Sequence, residues 1–175
     1  DILNKIQHHI SRWKNDALLP NSLQKYTFNN PHEQLAAKLY IEYQAHLRAY
    51  NAVDFDDLIL LPTLGFSENS ELLERWQNKI RYLLVDEYQD TNASQYQLVK
   101  LLVGVRQQFT VVGDDDQSIY AWRGAKAENL NLLKRDYPRL KLIKLEQNYR
   151  SSVCILDAAN ALIANNPHVY EKKLW

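Results

Sequence analysis

Residues 81–91 read Arg-Tyr-Leu-Leu-Val-Asp-Glu-Tyr-Gln-Asp-Thr, and this stretch decides the fold class. Its apolar part is short and ends abruptly at two adjacent carboxylates, Asp86 and Glu87. Such a run is typical of a strand that is buried on both faces of a parallel sheet. We therefore predict a strand over residues 82–86 whose carboxyl end carries both acids, at the sheet edge where open α/β folds bind ligands.

Two interpretations of the acid pair are open at this point. An Asp-Glu pair at a sheet edge can hold a divalent ion and orient a water molecule. Alternatively, Asp86 merely caps a turn, as polar residues after strands commonly do. The choice between them depends on the segments that follow.

Helical and strand patterns alternate downstream of this first strand. We predict a helix over about 93–103, a strand over 109–112, a helix over about 126–135, a strand over 140–145 and a helix over about 152–164. Alternation of this kind indicates a parallel sheet with helices on its faces. The predicted fold class is therefore α/β.

The first fifty residues follow a different pattern. Apolar residues recur at helical spacing from Ile2 to Trp13 and again after Asn30-Pro31, where the proline suits the first turn of a helix. No strand pattern accompanies these helices. We therefore predict a separate helical subdomain over residues 1–52.

Two shorter helices connect this subdomain to the first strand. Asp54 suits the cap of a helix that reaches Leu61, and Pro62 is predicted to stop that helix because proline lacks the N–H that a helix needs. A second helix is predicted over residues 71–79.

Composition and charge restrict the class of protein. An apolar fraction of 46% over 175 residues is typical of a globular chain, and Cys154 has no second cysteine with which to pair. A lone cysteine fits a reducing compartment, and no apolar run reaches membrane-span length, so we expect a cytoplasmic protein without membrane association. The chain begins at Asp1 and contains no methionine, so we interpret it as a piece of a longer product.

The net charge is zero but unevenly distributed. Residues 51–100 carry nine acids and four bases, whereas residues 121–150 carry eight bases and three acids. The basic block permits a polyanionic partner. A solvated surface explains the same charges equally well.

The second predicted strand ends in Gly-Asp-Asp-Asp-Gln-Ser-Ile-Tyr-Ala-Trp-Arg-Gly, residues 113–124. If the strands are neighbours, Gln117 lies near Asp86 and Glu87, where its amide can hydrogen-bond a phosphate oxygen or an attacking water. The three consecutive aspartates cannot all face one ion. We interpret them as a polar turn rather than a metal site.

Tyr120 and Trp122 stand two residues apart in this loop, next to Arg123. In an extended segment this spacing places both rings on one side, where nucleic-acid bases can stack on them. Large rings are also common core residues, so packing in the interior is the competing interpretation.

The third predicted strand runs into Glu-Gln-Asn-Tyr-Arg-Ser-Ser, residues 146–152. Ser151 suits the cap of the last helix. Arg150 can reach a nucleotide phosphate from this position, although a surface ion pair is an equally ordinary role for it.

Three segments together resemble motifs II, III and IV of the superfamily 1 DNA helicases of the UvrD/Rep/PcrA group. They are residues 86–90, 113–124 and 145–151. Residues 53–58 extend the resemblance, and residues 164–169 are closer to the Rep branch than to the UvrD branch. The resemblance implies a 3′→5′ DNA-translocating ATPase.

The resemblance also implies residue roles. Asp86 would help to hold Mg²⁺, Glu87 would activate the hydrolytic water and Gln117 would sense the terminal phosphate of ATP. The remaining assignments are base stacking and DNA contact for Tyr120, Trp122 and Arg123, adenine stacking for Tyr149 and contact with the terminal phosphate for Arg150. The implied partners are single-stranded DNA, duplex junctions and replication proteins in a bacterial cytoplasm.

One departure from the family pattern limits what this chain can do. The phosphate loop Gly-x-x-x-x-Gly-Lys-Ser/Thr is not among the glycine-containing segments of the sequence. We therefore expect an internal fragment that is inactive alone. It would comprise the helical insertion, part of a RecA-like motor domain of P-loop NTPase type over residues 53–146, and the start of a second motor domain over 147–175.

Two rival classes stay open. One is a non-catalytic DNA-binding or protein-interaction module that uses the aromatic loop alone. The other is a metal-dependent nuclease that uses Asp86, Glu87 and Asp90. The nuclease is disfavoured because no further histidine or carboxylate motif supplies a second metal site.

Overall fold

Two parallel strands lie at the centre of the computed structural model, which describes residues 2–126, 128–166, 170 and 172–175. Strand β1 (Leu83–Val85) pairs with β2 (Phe109–Val111) in parallel register. Helix α6 (Ala93–Val103) makes the crossover between them, as the alternating pattern predicts. Both strands are shorter than the predicted ranges. The prediction that β1 is buried on both faces is wrong, because Leu84 is 74% exposed while Leu83 and Val85 on the opposite face are half-buried.

Helices make up most of the remaining structure. In chain order they are α1 (Ile2–Asn15), α2 (Pro20–Leu23), α3 (Pro31–Ala49), α4 (Asp57–Glu68), α5 (Ser70–Lys79), the crossover helix α6, α7 (Asn129–Asp136) and α8 (Val153–Ile163). The Asn30 side chain accepts a hydrogen bond from His32 N at the start of α3, so the predicted Pro31 start is confirmed. The part of residues 164–169 after Asn166 lies outside the described residues.

The predicted third strand over residues 140–145 is wrong. The sheet that the described residues form has two strands, and residues 140–145 have no regular secondary structure. Leu142, Ile143 and Leu145 are exposed, Leu145 to 80%, whereas Leu140 is half-buried against the residues that pack around the strands. The apolar pattern suits a strand, but a strand also needs a neighbouring edge with which to form hydrogen bonds, and this segment meets none.

The prediction that Pro62 stops a helix is also wrong, because α4 continues through this proline to Glu68. The cap position is occupied by Asp56, which makes no side-chain cap bond, and not by Asp54 as predicted. Asp54 lies two residues earlier, and its Oδ1 accepts the Asp57 N–H at 2.9 Å. Beyond the proline, Thr63 and Phe66 lie buried on the helix, and their packing outweighs the hydrogen bond that Pro62 cannot donate.

Two more boundaries differ from prediction. Helix α7 begins at Asn129, and the Lys126 N–H before it donates to Thr91 O at 2.9 Å. Ser151 does not cap α8, since Ser152 occupies the cap position without a side-chain bond.

Two groups of buried residues form the hydrophobic interior. One is Ile6, Ile10, Trp13, Leu23, Ala36 and Tyr40, all within the predicted helical subdomain. The other packs around the strands and comprises Tyr88, Tyr96, Val103, Leu130, Leu133 and Tyr137. Separate interiors agree with a subdomain over residues 1–52, although its boundary stays a prediction because α1 also contacts α4 and α6.

A buried ion cluster joins the end of α1 to the start of α4. Lys14 is 1% exposed, and its Nζ lies 2.6 Å from Asp54 Oδ2 and 2.8 Å from Asp57 Oδ1. The Tyr43 hydroxyl donates to Asp54 Oδ2 at 2.9 Å, and the Lys14 carbonyl accepts the Ser94 hydroxyl at 2.8 Å. The cluster links α1, α3, α4 and α6, and its members are Lys14, Tyr43, Asp54, Asp57 and Ser94.

Among the helices in the described part of the chain, none combines the length and apolar character needed to cross a bilayer.

Candidate functional site at the sheet edge

The carboxyl ends of β1 and β2 are held together beyond the strands themselves. Val112 N donates to Val85 O at 2.8 Å, and Tyr88 N donates to Val112 O at 2.9 Å. The turns that follow the two strands therefore lie side by side, as the sequence predicts for neighbouring parallel strands.

Asp86 and Glu87 form a sharp corner at this edge. Glu87 has φ +50° and ψ +42°, a left-handed conformation that costs a residue with a Cβ about 1–2 kcal/mol. Its N–H donates to Asp86 Oδ1 at 2.9 Å. Both side chains remain exposed, so the corner directs them outward from the sheet.

The sequence reasoning missed Gln89, which is 1% exposed and lies directly beneath this corner. Its Nε2 donates to Glu87 Oε2 at 2.7 Å, and its Oε1 accepts the Asp114 N–H at 3.0 Å. The sequence does contain a signal for this residue, because Gln89 is an amide that lies between Glu87 and Asp90 in the segment predicted to reach the sheet edge. Only the fold shows that its second hydrogen-bond partner is Asp114, which follows β2.

Gln117 lies on the same edge but does not hydrogen-bond to either acid of the corner. Its Nε2 donates to Asp114 Oδ2 at 2.7 Å, and its side chain is exposed. The structure therefore connects Gln117 to Glu87 through two intervening residues, Asp114 and Gln89.

The three consecutive aspartates surround a lysine. Asp114, Asp115 and Asp116 come within 4.8 Å of one another, and Lys172 forms ion pairs with all three. Burial alone would lower the pKa of Lys172, but hydrogen bonds from its ammonium to the three carboxylates raise it above its usual value. The expectation that three consecutive aspartates cannot all face one ion is therefore wrong, and here the cation is a lysine of the chain itself.

The nuclease interpretation receives no geometric support. In the described part of the chain, one group of three histidine, cysteine or acidic residues has converging ligand atoms, and it consists of Asp114, Asp115 and Asp116. Asp86, Glu87 and Asp90 do not converge in this way.

A groove of about 1000 Å³ is lined in part by Asp90, which follows the acid corner by three residues. Helix α1 forms one wall, and residues 120–126 form the other. The aromatic loop is a 3₁₀ turn over Ala121–Arg123 and not the extended segment that we predicted. Tyr120 and Trp122 nevertheless come together, because the Arg123 guanidinium lies 5.4 Å from the first ring and 4.8 Å from the second.

Trp122 is 65% exposed and therefore does not belong to the core. Its ring faces the groove with a cation against it, an arrangement that leaves the other face open to a flat ligand. The core interpretation of this residue is wrong.

Tyr149 and Arg150 stand apart from the acid corner. Tyr149 is largely exposed, and Arg150 donates its backbone N–H to Asn148 Oδ1 at 2.9 Å. Within the described residues neither side chain is hydrogen-bonded or ion-paired to Asp86, Glu87 or Gln117.

The acid corner can supply one protein ligand, the Asp86 carboxylate, to the magnesium ion of a magnesium–nucleotide complex. Asp86 uses one carboxylate oxygen for the Glu87 N–H and presents the rest of an exposed carboxylate at the sheet edge. Mg²⁺ at phosphate sites takes one or two carboxylates and completes its shell with water and phosphate oxygens. One exposed aspartate is therefore sufficient for the protein's share.

Residues 1–138 match the family model described as UvrD/REP helicase N-terminal domain. The match covers well over half of the chain, and the chain belongs to this family.

Relatives agree with this assignment. The chain is 62% identical over 174 residues to the ATP-dependent DNA helicase Rep of Escherichia coli (strain K12) and equally to that of Salmonella typhimurium. It is 46% identical over 166 residues to DNA helicase II of Rickettsia typhi. The alignments cover 99%, 99% and 95% of this chain but only 26%, 26% and 25% of the relatives.

Proposed function

We propose that the protein containing this chain is an ATP-driven DNA helicase that moves 3′→5′ on single-stranded DNA and unwinds duplex. The observation that carries this proposal is the sheet edge. The Asp86–Glu87 corner and Gln117 lie there, and the chain continues from each of them, three residues on, into the lining of a groove with an exposed tryptophan. The family membership and the names of its relatives support it.

The roles proposed for the individual residues are those that the resemblance to the helicase motifs implies. Asp86 would hold Mg²⁺, which supplies charge neutralisation on the phosphates when bound. Glu87 would take the proton of the attacking water, since one of its oxygens is free of hydrogen bonds within the described residues. Gln117 would contact the terminal phosphate, as would Arg150, while Tyr149 would stack on adenine.

The domain organisation is part of the same proposal. Residues 53–146 would form part of a RecA-like motor domain, residues 1–52 its helical insertion and residues 147–175 the start of a second motor domain. Exposure of Tyr149 and Arg150 agrees with a place at a boundary between motor domains. Substrates would be single-stranded DNA and duplex junctions in a bacterial cytoplasm, with replication proteins as further partners.

The decisive experiment uses the whole protein. We expect ATP hydrolysis that single-stranded DNA stimulates, together with unwinding of duplexes that carry a 3′ tail. Duplexes with a 5′ tail are the matched control for direction. Absence of DNA-stimulated hydrolysis, or a preference for 5′ tails, would contradict the proposal.

A non-catalytic DNA-binding module is the second candidate, because the groove and its aromatic residues do not need a nucleotide to bind DNA. The same experiment separates the two functions. Binding of single-stranded DNA by the whole protein without any ATP hydrolysis would favour the module.

The isolated 175-residue chain should not hydrolyse ATP. The lysine of a phosphate loop normally grips the β- and γ-phosphates, and this sequence contains no such loop. Phosphate release by the purified chain with Mg²⁺ is the measurement. Release above buffer that disappears in Glu87→Gln would show that the chain is active alone.

Trp122→Ala in the whole protein should weaken binding of single-stranded DNA by ~1–3 kcal/mol, the usual contribution of a base stacked on an aromatic ring. Its folding stability should barely change, because the ring is largely exposed. Fluorescence anisotropy with labelled oligonucleotides of several sequences measures the loss, which should be similar for all of them.

Trp76→Ala is the matched control for this prediction. Trp76 is also exposed and also has a cation against its ring, with Lys79 Nζ at 5.1 Å, but it lies on α5 away from the groove. Salt adds a second criterion. Trp122→Ala should leave the slope of log affinity against log salt unchanged, whereas Arg123→Ala should flatten it. Unchanged DNA affinity in Trp122→Ala would refute the stacking role.

A further inference from the structure

We propose that Gln89 is a positioning residue for ATP hydrolysis: it fixes the carboxylate of Glu87 and ties it to the turn that carries Gln117. This inference rests on the proposed function, because it assigns a role to Gln89 through Glu87. The chemistry itself stays with Glu87.

Burial makes the hydrogen bonds of Gln89 obligatory. A side-chain amide that is 1% exposed needs protein partners, since leaving its groups unpaired is costly. Nε2 donates to Glu87 Oε2 at 2.7 Å and lies 3.5 Å from Asp90 Oδ2, while Oε1 accepts from Asp114 N at 3.0 Å. Only one orientation of the amide satisfies these contacts, because the flipped amide would set oxygen against carboxylates and N–H against N–H.

Gly113 provides the room for this amide. A Cβ at position 113 would lie 2.9 Å from Gln89 Oε1 and 3.3 Å from Gln89 N. Any other residue there would displace the amide or the turn. Gly113, in the segment after β2, therefore leaves the space that the amide of Gln89, after β1, occupies at the sheet edge.

The bond to Gln89 restricts an otherwise free group. Glu87 is exposed and sits on a left-handed corner, so its carboxylate has no packing to hold it. A general base must lie within about 2.6–3.2 Å of the proton that it removes. With Oε2 held by Gln89, the position of the other oxygen is set by the geometry of the carboxylate.

The same amide links the two turns of the edge. Gln89 binds the Asp114 backbone, and the Asp114 side chain accepts from Gln117 Nε2 at 2.7 Å. A shift of Gln89 would therefore alter Glu87 and Gln117 together, which are the two groups proposed to face the water and the terminal phosphate.

Gln89→Glu in the whole protein tests the inference. Glutamate has the same size and can still accept the Asp114 N–H, but as a carboxylate it cannot donate to Glu87 and it repels it. We expect kcat for DNA-stimulated ATP hydrolysis to fall about 10–100-fold, the scale of a catalytic group displaced by about 1 Å. KM for ATP should change less than about threefold, because the lost interaction belongs to the transition state.

A double variant separates positioning from a general effect on the fold. If Gln89 acts through Glu87, Gln89→Glu should cause no further loss of kcat in a Glu87→Gln background. Gln44→Glu is the matched control, since Gln44 is another buried glutamine, placed on α3. It should leave kcat unchanged, and the melting temperature is measured for every variant.

The outcomes are distinct. Wild-type protein without ATPase activity refutes the proposed function before any variant is considered. An active wild type with unchanged kcat in Gln89→Glu refutes the inference, and so does a loss of equal size in the Glu87→Gln background. If Gln89→Glu does not fold, Gln89→Leu, which keeps the volume without a donor, takes its place under the same criteria.

Discussion

Glu87→Gln should lower ATP turnover by the whole protein about 10²–10⁴-fold, the usual range for loss of a general base. Glutamine keeps the size of the side chain and an oxygen that accepts from Gln89 Nε2, so the corner should retain its shape. It cannot take a proton from water. Nucleotide binding should stay near normal because the phosphates are held by other groups.

Single-turnover hydrolysis and equilibrium nucleotide binding measure the two quantities separately. Glu68→Gln, an exposed glutamate at the end of α4, is the control and should behave as wild type. Arg150→Ala should also slow the chemical step. Wild-type turnover in Glu87→Gln would show that the acid corner is structural.

Lys14→Met should destabilise the chain by about 3–5 kcal/mol, the cost of leaving buried charges without their partner. Methionine fills a similar volume but leaves Asp54 and Asp57 facing each other without a cation. Urea unfolding of the chain measures the loss. Lys5→Met, an exposed lysine on the same helix, is the matched control and should change the free energy of unfolding by less than about 0.5 kcal/mol.

A compensating variant tests the electrostatic cause. Adding Asp54→Asn and Asp57→Asn to Lys14→Met should recover much of the loss, since removing a whole buried ion cluster costs far less than breaking it. If Lys14→Met is no more harmful than Lys5→Met, the cluster does not hold α1 to α4.

Acid should weaken the same cluster. Burial by itself would raise the pKa of Asp54, but hydrogen bonds from Lys14, the Asp57 N–H and Tyr43 hold it below its usual value. A carboxyl whose folded pKa is depressed contributes stability above its unfolded pKa and loses it as the pH falls. The difference in unfolding free energy between wild type and Lys14→Met should therefore shrink below about pH 4.

Local chemistry made much of the fold predictable. The period of the apolar residues placed α1, α3, α6 and α8, and Asn30-Pro31 located the start of α3. The acid corner followed from a single rule, that the residues after a parallel strand lie at the edge of the sheet where its strands end. The same rule placed Gln117 on that edge.

The wrong predictions concern segments whose conformation or burial depends on residues that are distant in the sequence. Residues 140–145 have the composition of a strand but meet no edge with which to pair. Pro62 stays inside α4 because burial of the residues beyond it outweighs one missing hydrogen bond. Trp122 is equally suited to a core or a groove by composition, and only its surroundings show that it is exposed.

The sequence by itself determined the strand–helix–strand order of β1, α6 and β2, the position of Asp86 and Glu87 at a strand end, and the family to which these motifs belong. These features depend on neighbours within a few residues. Only the tertiary structure decided the partners of the buried polar groups, such as Asp114 for Gln89 and Asp54 and Asp57 for Lys14. Those groups lie 25, 40 and 43 residues apart along the chain, and a buried donor or charge is satisfied by whatever the fold brings beside it.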